Sequence, residues 1–151
     1  VAQNFHNITG LNGETIQPFE AAVDAGAAAT IEKGMSVTKA ANRYVAESAD
    51  SDNSAVLIYG LAANTSDETA TVDGTVLVYR APVLRAIVDA TTPANLATTT
   101  TLILCTLDVT GTTHTVDENE TTLGFIILES YDNTTDGNCT VQFPCRFVVW
   151  T

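Results

Sequence analysis

Apolar residues in this chain come in short bursts. Ala55–Tyr59, Val76–Tyr79, Ala86–Val88, Thr101–Cys105, Leu123–Leu128 and Val141–Val149 are rich in β-branched or aromatic residues and are separated by Gly, Asn and Asp. An amphipathic helix needs apolar positions repeating every ~3.6 residues over roughly ten or more, whereas short bursts bounded by turn formers suit strands. Asn12-Gly13, Asp73-Gly74 and Asp136-Gly137 supply the turn signals. The expected fold class is therefore mainly β. Two segments read as short helical turns. Phe19–Ala25 is Ala-rich, follows Pro18 and stops at Gly26, and Pro93–Leu96 precedes the run Thr98–Thr101. Both are too short to stand alone in water.

The length of 151 residues suits one domain, or two small lobes sharing a core, that buries roughly 70% of its unfolded surface. Charged residues make up 16% of the chain, and 6 Lys+Arg against 18 Asp+Glu leave a net charge of −12. The low charged fraction and recurring apolar runs argue against disorder. No apolar stretch reaches the ~18–20 residues of a membrane-spanning helix. The strong negative charge would be repelled by phosphate, so no nucleic-acid partner is expected.

Residues 1–26 read as an N-terminal arm with the short helix, and residues 27–151 as the β body. The first part of the arm holds few apolar residues, and we expect an arm or edge element there, outside the core. Such an arm can add a strand to a partner's sheet edge through main-chain hydrogen bonds. Phe5, Ile8, Leu11 and Ile16 are its candidate contact residues.

A repeated arrangement divides the body. Leu57–Ala63, then Asp73-Gly74, then a strand reaching Pro82-Val83-Leu84 are echoed by Leu123–Leu128, Asp136-Gly137 and Val141–Arg146. Gly60 and Gly124, Gly74 and Gly137, and Pro82 and Pro144 stand 64, 63 and 62 residues apart. Landmarks in the same order at nearly constant offset point to two related β-units, about 54–90 and 117–149. Gly60 and Gly124 are expected where a strand bends or another backbone comes close. Pro82 and Pro144 are expected at a strand start, a bulge or a sheet edge.

No catalytic, cofactor-binding or metal-binding constellation emerges. His6 lies in the arm and His114 in a Thr-rich turn, neither with a Cys or His partner at ligand spacing, and both read as solvated surface histidines. Nucleophile-elbow, zinc-protease and P-loop patterns are missing from the sequence. Asp50–Ser54 begins like a calcium loop, but Ala55 replaces the required Gly and Leu61 stands at the bidentate Glu position. Asp117-Glu118-Asn119-Glu120 reads as a solvated acidic turn. The expectation is a protein without enzymatic activity.

Cys105, Cys139 and Cys145 form an odd, sparse set, unlike a secreted disulfide framework. They are expected to be buried free thiols, with a bridge from Cys105 to either of the others as the alternative. The N-terminus shows no basic region followed by an apolar core, so no signal peptide is expected. The 25 threonines and the five N-x-S/T sequons at Asn7, Asn64, Asn119, Asn133 and Asn138 mark a composition common in extracellular β-proteins and virion components.

The order Ile31-Glu32-Lys33-Gly34-Met35-Ser36-Val37, Ile58-Tyr59-Gly60-Leu61-Ala62, Asp73-Gly74-Thr75-Val76-Leu77-Val78 and Leu123-Gly124-Phe125-Ile126 resembles tailed-bacteriophage capsid decoration (cement, head-stabilising) proteins, over roughly residues 27–149. Met35 and Ser36 depart from the Asp-x of that family's opening motif. The resemblance implies a compact β-barrel-like or β-tulip body on the outer surface of an icosahedral capsid, assembled in the host cytoplasm. It also implies the major capsid protein as partner, a homo-oligomer with a trimer favoured, and no catalytic residue. The competing expectation is an extracellular β-sandwich adhesin or carbohydrate-binding module, which would present a platform of exposed aromatic side chains.

Overall fold

A computed structural model describes residues 4–27, 30–49, 58–91, 103–118, 124–131 and 138–145. The described residues contain eleven strands and no helix. They are β1 (His6–Gly10), β2 (Phe19–Val23), β3 (Ser36–Lys39), β4 (Val45–Glu47), β5 (Ile58–Ala62), β6 (Gly74–Tyr79), β7 (Val83–Asp89), β8 (Ile103–Thr110), β9 (Thr113–Asp117), β10 (Ile126–Tyr131) and β11 (Asn138–Pro144). Six form one antiparallel sheet in the order β1-β7-β11-β10-β8-β9, and five form a second in the order β2-β6-β5-β3-β4.

Period-2 alternation builds the first core. Leu84, Ala86 and Val88 of β7 point inward and stand opposite Phe143, Val141 and Cys139 of β11. Ile126 of β10 pairs with Cys105 of β8, and both are buried. One of the two sheets curls into a half-barrel, and a parallel bridge between Ala90 and Val116 brings the end of β7 to β9. The second sheet encloses its own core of Val23, Ile31, Met35, Val37, Val45, Ala62, Val76 and Val78. Strand β5 serves both, with Ile58 and Leu61 in the first cluster and Ala62 in the second.

The expected helix at Phe19–Ala25 is instead strand β2. Five residues pair with β6, from Phe19 opposite Val78 to Val23 opposite Gly74, and the pairing buries Ala21 and Val23. Alanine's helical preference is a fraction of a kcal/mol per residue, less than a ladder and a buried valine return. Gly26, at φ 71°, turns the chain after the strand. The proposed turn at Pro93–Leu96 lies outside the described residues.

The expected arm is also corrected where it is described. Strand β1 is an edge element, as read, but it pairs with β7, and Phe5 just before it is 2% exposed within the first core. Its ring meets Phe143 edge-on, with centroids 5.1 Å apart. The reading of a segment outside the core underestimated one aromatic residue, whose burial outweighs its polar neighbours.

The glycine expectations hold at Gly60 and Gly124. A Cβ on Gly60 would lie 2.2 Å from the Tyr79 carbonyl oxygen, and one on Gly124 would lie 2.9 Å from the Leu104 carbonyl carbon. Pro82 precedes β7 and Pro144 ends β11. The two units do not fold as equivalent pieces, however. The first spans both sheets, with β5 and β6 in the second and β7 in the first, whereas β10 and β11 lie together in the first sheet.

Candidate functional site

The most unusual chemistry lies at the seam where β9, the last strand of the first sheet, meets β3 and β4 of the second. His114 is fully buried there, which corrects its reading as a solvated histidine in a turn. Thr113 to Asp117 form a strand in which His114, Thr115 and Val116 are all buried, so the sequence shows no apolar alternation there. On the facing sheet, Ser36 and Ser48 are buried and their hydroxyls are 2.6 Å apart. The Ser48 amide donates to the Ser36 carbonyl at 2.9 Å.

The Ser36 amide N–H donates to Nδ1 of His114 at 3.1 Å. A ring nitrogen that accepts from an amide carries no proton, so this bond assigns the neutral ring's proton to Nε2. Nε2 faces Glu47 Oε2 at 3.5 Å, and among the described residues neither atom has a hydrogen-bond partner. Burial pushes the His114 imidazole down to about 4. Burial first, and then the charge of Glu32, raise the Glu47 carboxyl above its ordinary value. Both groups are thereby driven toward their neutral forms.

This geometry limits the chemistry. Nδ1 is committed to a backbone N–H, so it does not take a proton from the Ser36 hydroxyl, which is engaged with Ser48. With its proton on Nε2, the ring offers no lone pair to a metal on the Glu47 side. Among the described residues no three His, Cys, Asp or Glu side chains converge to hold a metal ion. The cluster is a buried polar joint.

The N-terminal segment is laced into the same joint. Asn4 Oδ1 accepts from the His114 amide at 2.8 Å, and Asn4 Nδ2 donates to the Thr112 carbonyl at 3.2 Å. The Phe5 amide donates to the Gly34 carbonyl at 3.1 Å. Gly34 adopts φ 87°, and a Cβ there would lie 2.5 Å from the Phe5 carbonyl oxygen, so glycine is required for this close approach.

The four residues expected to contact a partner do not share one surface. Phe5 is core, Ile8 and Ile16 are partly buried against the first core, and Leu11 is 37% exposed in the loop after β1. Larger apolar exposure occurs at Phe19 (59%), Val72 (62%) and Leu104 (49%), none of which the sequence singled out as a contact. Phe19 shares parity with buried Ala21 and Val23, and only its place at the end of β2 leaves it outside the core.

Cys105, Cys139 and Cys145 are buried and form no disulfide among the described residues. Burial holds Cys105 and Cys139 up to about 12 and Cys145 up to about 11, so the reactive thiolates are suppressed at neutral pH. On the first sheet Glu129 of β10 accepts from Arg85 Nη2 of β7 at 2.6 Å and from Gln142 of β11. Those bonds, that from Gln142 foremost, hold its carboxyl below the usual range. This cross-strand tie joins three adjacent strands and suits a structural role. No helix of the described residues is long and apolar enough to cross a membrane. Comparison with protein-family models, curated proteins and solved structures yields no match.

Proposed function

We propose that this protein is a non-enzymatic virion structural protein that binds the outer surface of an icosahedral capsid and stabilises contacts between capsomers. The observation that carries the reading is a division of chemistry. The candidate joint is sealed inside with its histidine committed to the backbone, while apolar side chains stand out on the surface at Leu11 and Val72 in loops, Phe19 on the edge strand β2 and Leu104 on β8. That division suits a protein that acts through its surface. The sequence resemblance to capsid decoration proteins and the mainly β body point the same way.

Strand β1 offers a route to the major capsid protein. One side pairs with β7, and among the described residues no further strand of the first sheet follows it. A partner strand can add to that side through main-chain hydrogen bonds. The register shift between His6 and Thr9, with Asn7 at φ 50°, restricts such pairing to a partner matched to the bulge. Assembly as a trimer would turn weak single contacts into firm attachment by multivalency. The added binding would then stabilise the shell by mass action.

The test is sedimentation of the parent particle with this chain quantified against the major shell protein. A fixed ratio of hundreds of copies per particle, on the order expected for sites repeated over an icosahedral lattice, supports the role. Absence from the particle refutes it and favours the adhesin or carbohydrate-binding reading, for which exposed Phe19 is the available aromatic contact among the described residues.

A further inference from the structure

The seam between the sheets is held by a group that acid converts from acceptor to donor. The neutral His114 ring has a single basic site, Nδ1, because Nε2 already carries the proton. The next proton must therefore land on the atom that receives the Ser36 N–H at 3.1 Å. Two N–H groups would then face each other across that distance, and an attraction would become a repulsion within a buried joint.

We propose that His114 is an acid-sensitive latch whose protonation at Nδ1 breaks the Ser36–His114 bond, parts β9 from the β3–β4 edge and releases the Asn4–Phe5 segment tied to both. The proton comes from solvent, and no covalent bond changes. The release follows from connectivity. Asn4 holds β9 through the His114 amide and the Thr112 carbonyl, while Phe5 holds the second sheet through Gly34, two residues before Ser36. Moving β9 away from Ser36 leaves Asn4 and Phe5 anchored to separating elements.

The surroundings offer the imidazolium little compensation. From β4, Glu47 faces Nε2. From the turn before β3, Glu32 acts on Glu47 and favours its protonated form, so the nearest carboxylate loses its charge as the medium acidifies. From β8, Val109 is the register partner of His114, and the flanking Asp108 accepts from Thr91 and Thr110. From the N-terminal segment, the His6 ring lies 2.9 Å from the Asn4 carbonyl oxygen. On β3, Lys39 stands three residues beyond Ser36, opposite Val45. The inference does not depend on the proposed capsid role.

The test is ¹⁵N-resolved NMR of the whole chain from about pH 7 to about pH 3, with amide exchange corrected for its intrinsic pH dependence. The expected result is an unprotonated, hydrogen-bonded Nδ1 at neutral pH. On acidification the ring and the Ser36 amide shift together with one midpoint. Exchange at Phe5, Ser36 and His114 then rises at least about tenfold while the β2–β6 ladder stays protected. His114→Gln, whose side-chain carbonyl can accept from Ser36 without titrating, should lose this step. If that variant fails to fold, the native chain's spectra decide alone. A proton on Nδ1 at neutral pH, a titrating ring with an unmoved Ser36 amide, simultaneous loss of protection everywhere, or an unchanged acid step in His114→Gln would each overturn the latch.

Discussion

Replacing Phe5 with alanine separates a core residue from a solvated arm by a wide margin. The ring is 2% exposed, meets Phe143 at a centroid distance of 5.1 Å, and belongs to the cluster of Leu84, Val141 and Phe143 beneath the six-stranded sheet. Truncating a buried phenylalanine costs about 3–5 kcal/mol, including roughly 1 kcal/mol for the lost edge-to-face pair. At about 2–4 °C per kcal/mol for a chain of this size, the melting temperature should fall by roughly 10 °C. Urea unfolding of Phe5→Ala and of Leu11→Ala gives the comparison. Leu11 lies in the same N-terminal stretch but is 37% exposed, and its truncation should cost no more than about 0.5 kcal/mol. An effect below about 1 kcal/mol at Phe5 would refute the placement of this segment in the core. Removing the segment wholesale to test binding would therefore also damage the fold, so a surface substitution such as Leu11→Glu is the cleaner probe.

The remaining predictions concern titration, thiols and backbone. The unfolded chain takes a proton on His114 near its ordinary value of 6.5 and the folded chain only at about 4, so this histidine's contribution to stability is complete above 6.5 and falls as pH drops toward 4. The loss is about 3 kcal/mol at roughly 1.4 kcal/mol per pH unit, and pH-dependent urea unfolding should show a flatter profile for His114→Gln. Glu47 opposes it, because its raised value means that acid relieves the cost of a buried carboxylate; Glu47→Gln should steepen the acid loss, and an unchanged slope would argue against that assignment. A thiol reagent should label Cys105, Cys139 and Cys145 only after denaturant is added, and reductant should leave the melting temperature unchanged; rapid labelling of the folded chain would contradict their burial. Gly34→Ala should destabilise by at least about 2 kcal/mol through the clash with Phe5 and the positive φ, and a neutral effect in thermal unfolding would contradict the close approach.

Legibility varied with how directly local chemistry encodes position. Val76–Tyr79 and Ala86–Val88 were readable as strands because they are short apolar runs rich in β-branched or aromatic residues, and the structure places them in β6 and β7. Strand β9 was not, because its buried run is a histidine, a threonine and a valine with no apolar alternation. Strand β2 was misread because Phe19–Val23 reads equally well as a short Ala-rich helix, and only the partner β6 settles the choice. The joint of Ser36, Ser48, Glu47 and His114 joins residues 78 positions apart, and no spacing rule connects them.

By itself, the sequence determined that this chain is built from short strands and that Gly60 and Gly124 sit where a strand bends or another backbone comes close, and it favoured buried thiols over a disulfide. Those properties follow from side-chain type and near neighbours. Tertiary structure alone decided which sheet each strand joins, that Phe5 is core while Phe19 is exposed, and that His114 is sealed against a backbone amide. The physical reason is that burial and hydrogen-bond partnership depend on residues distant in sequence. The same imidazole would be charged or neutral, surface or joint, according to what folds over it.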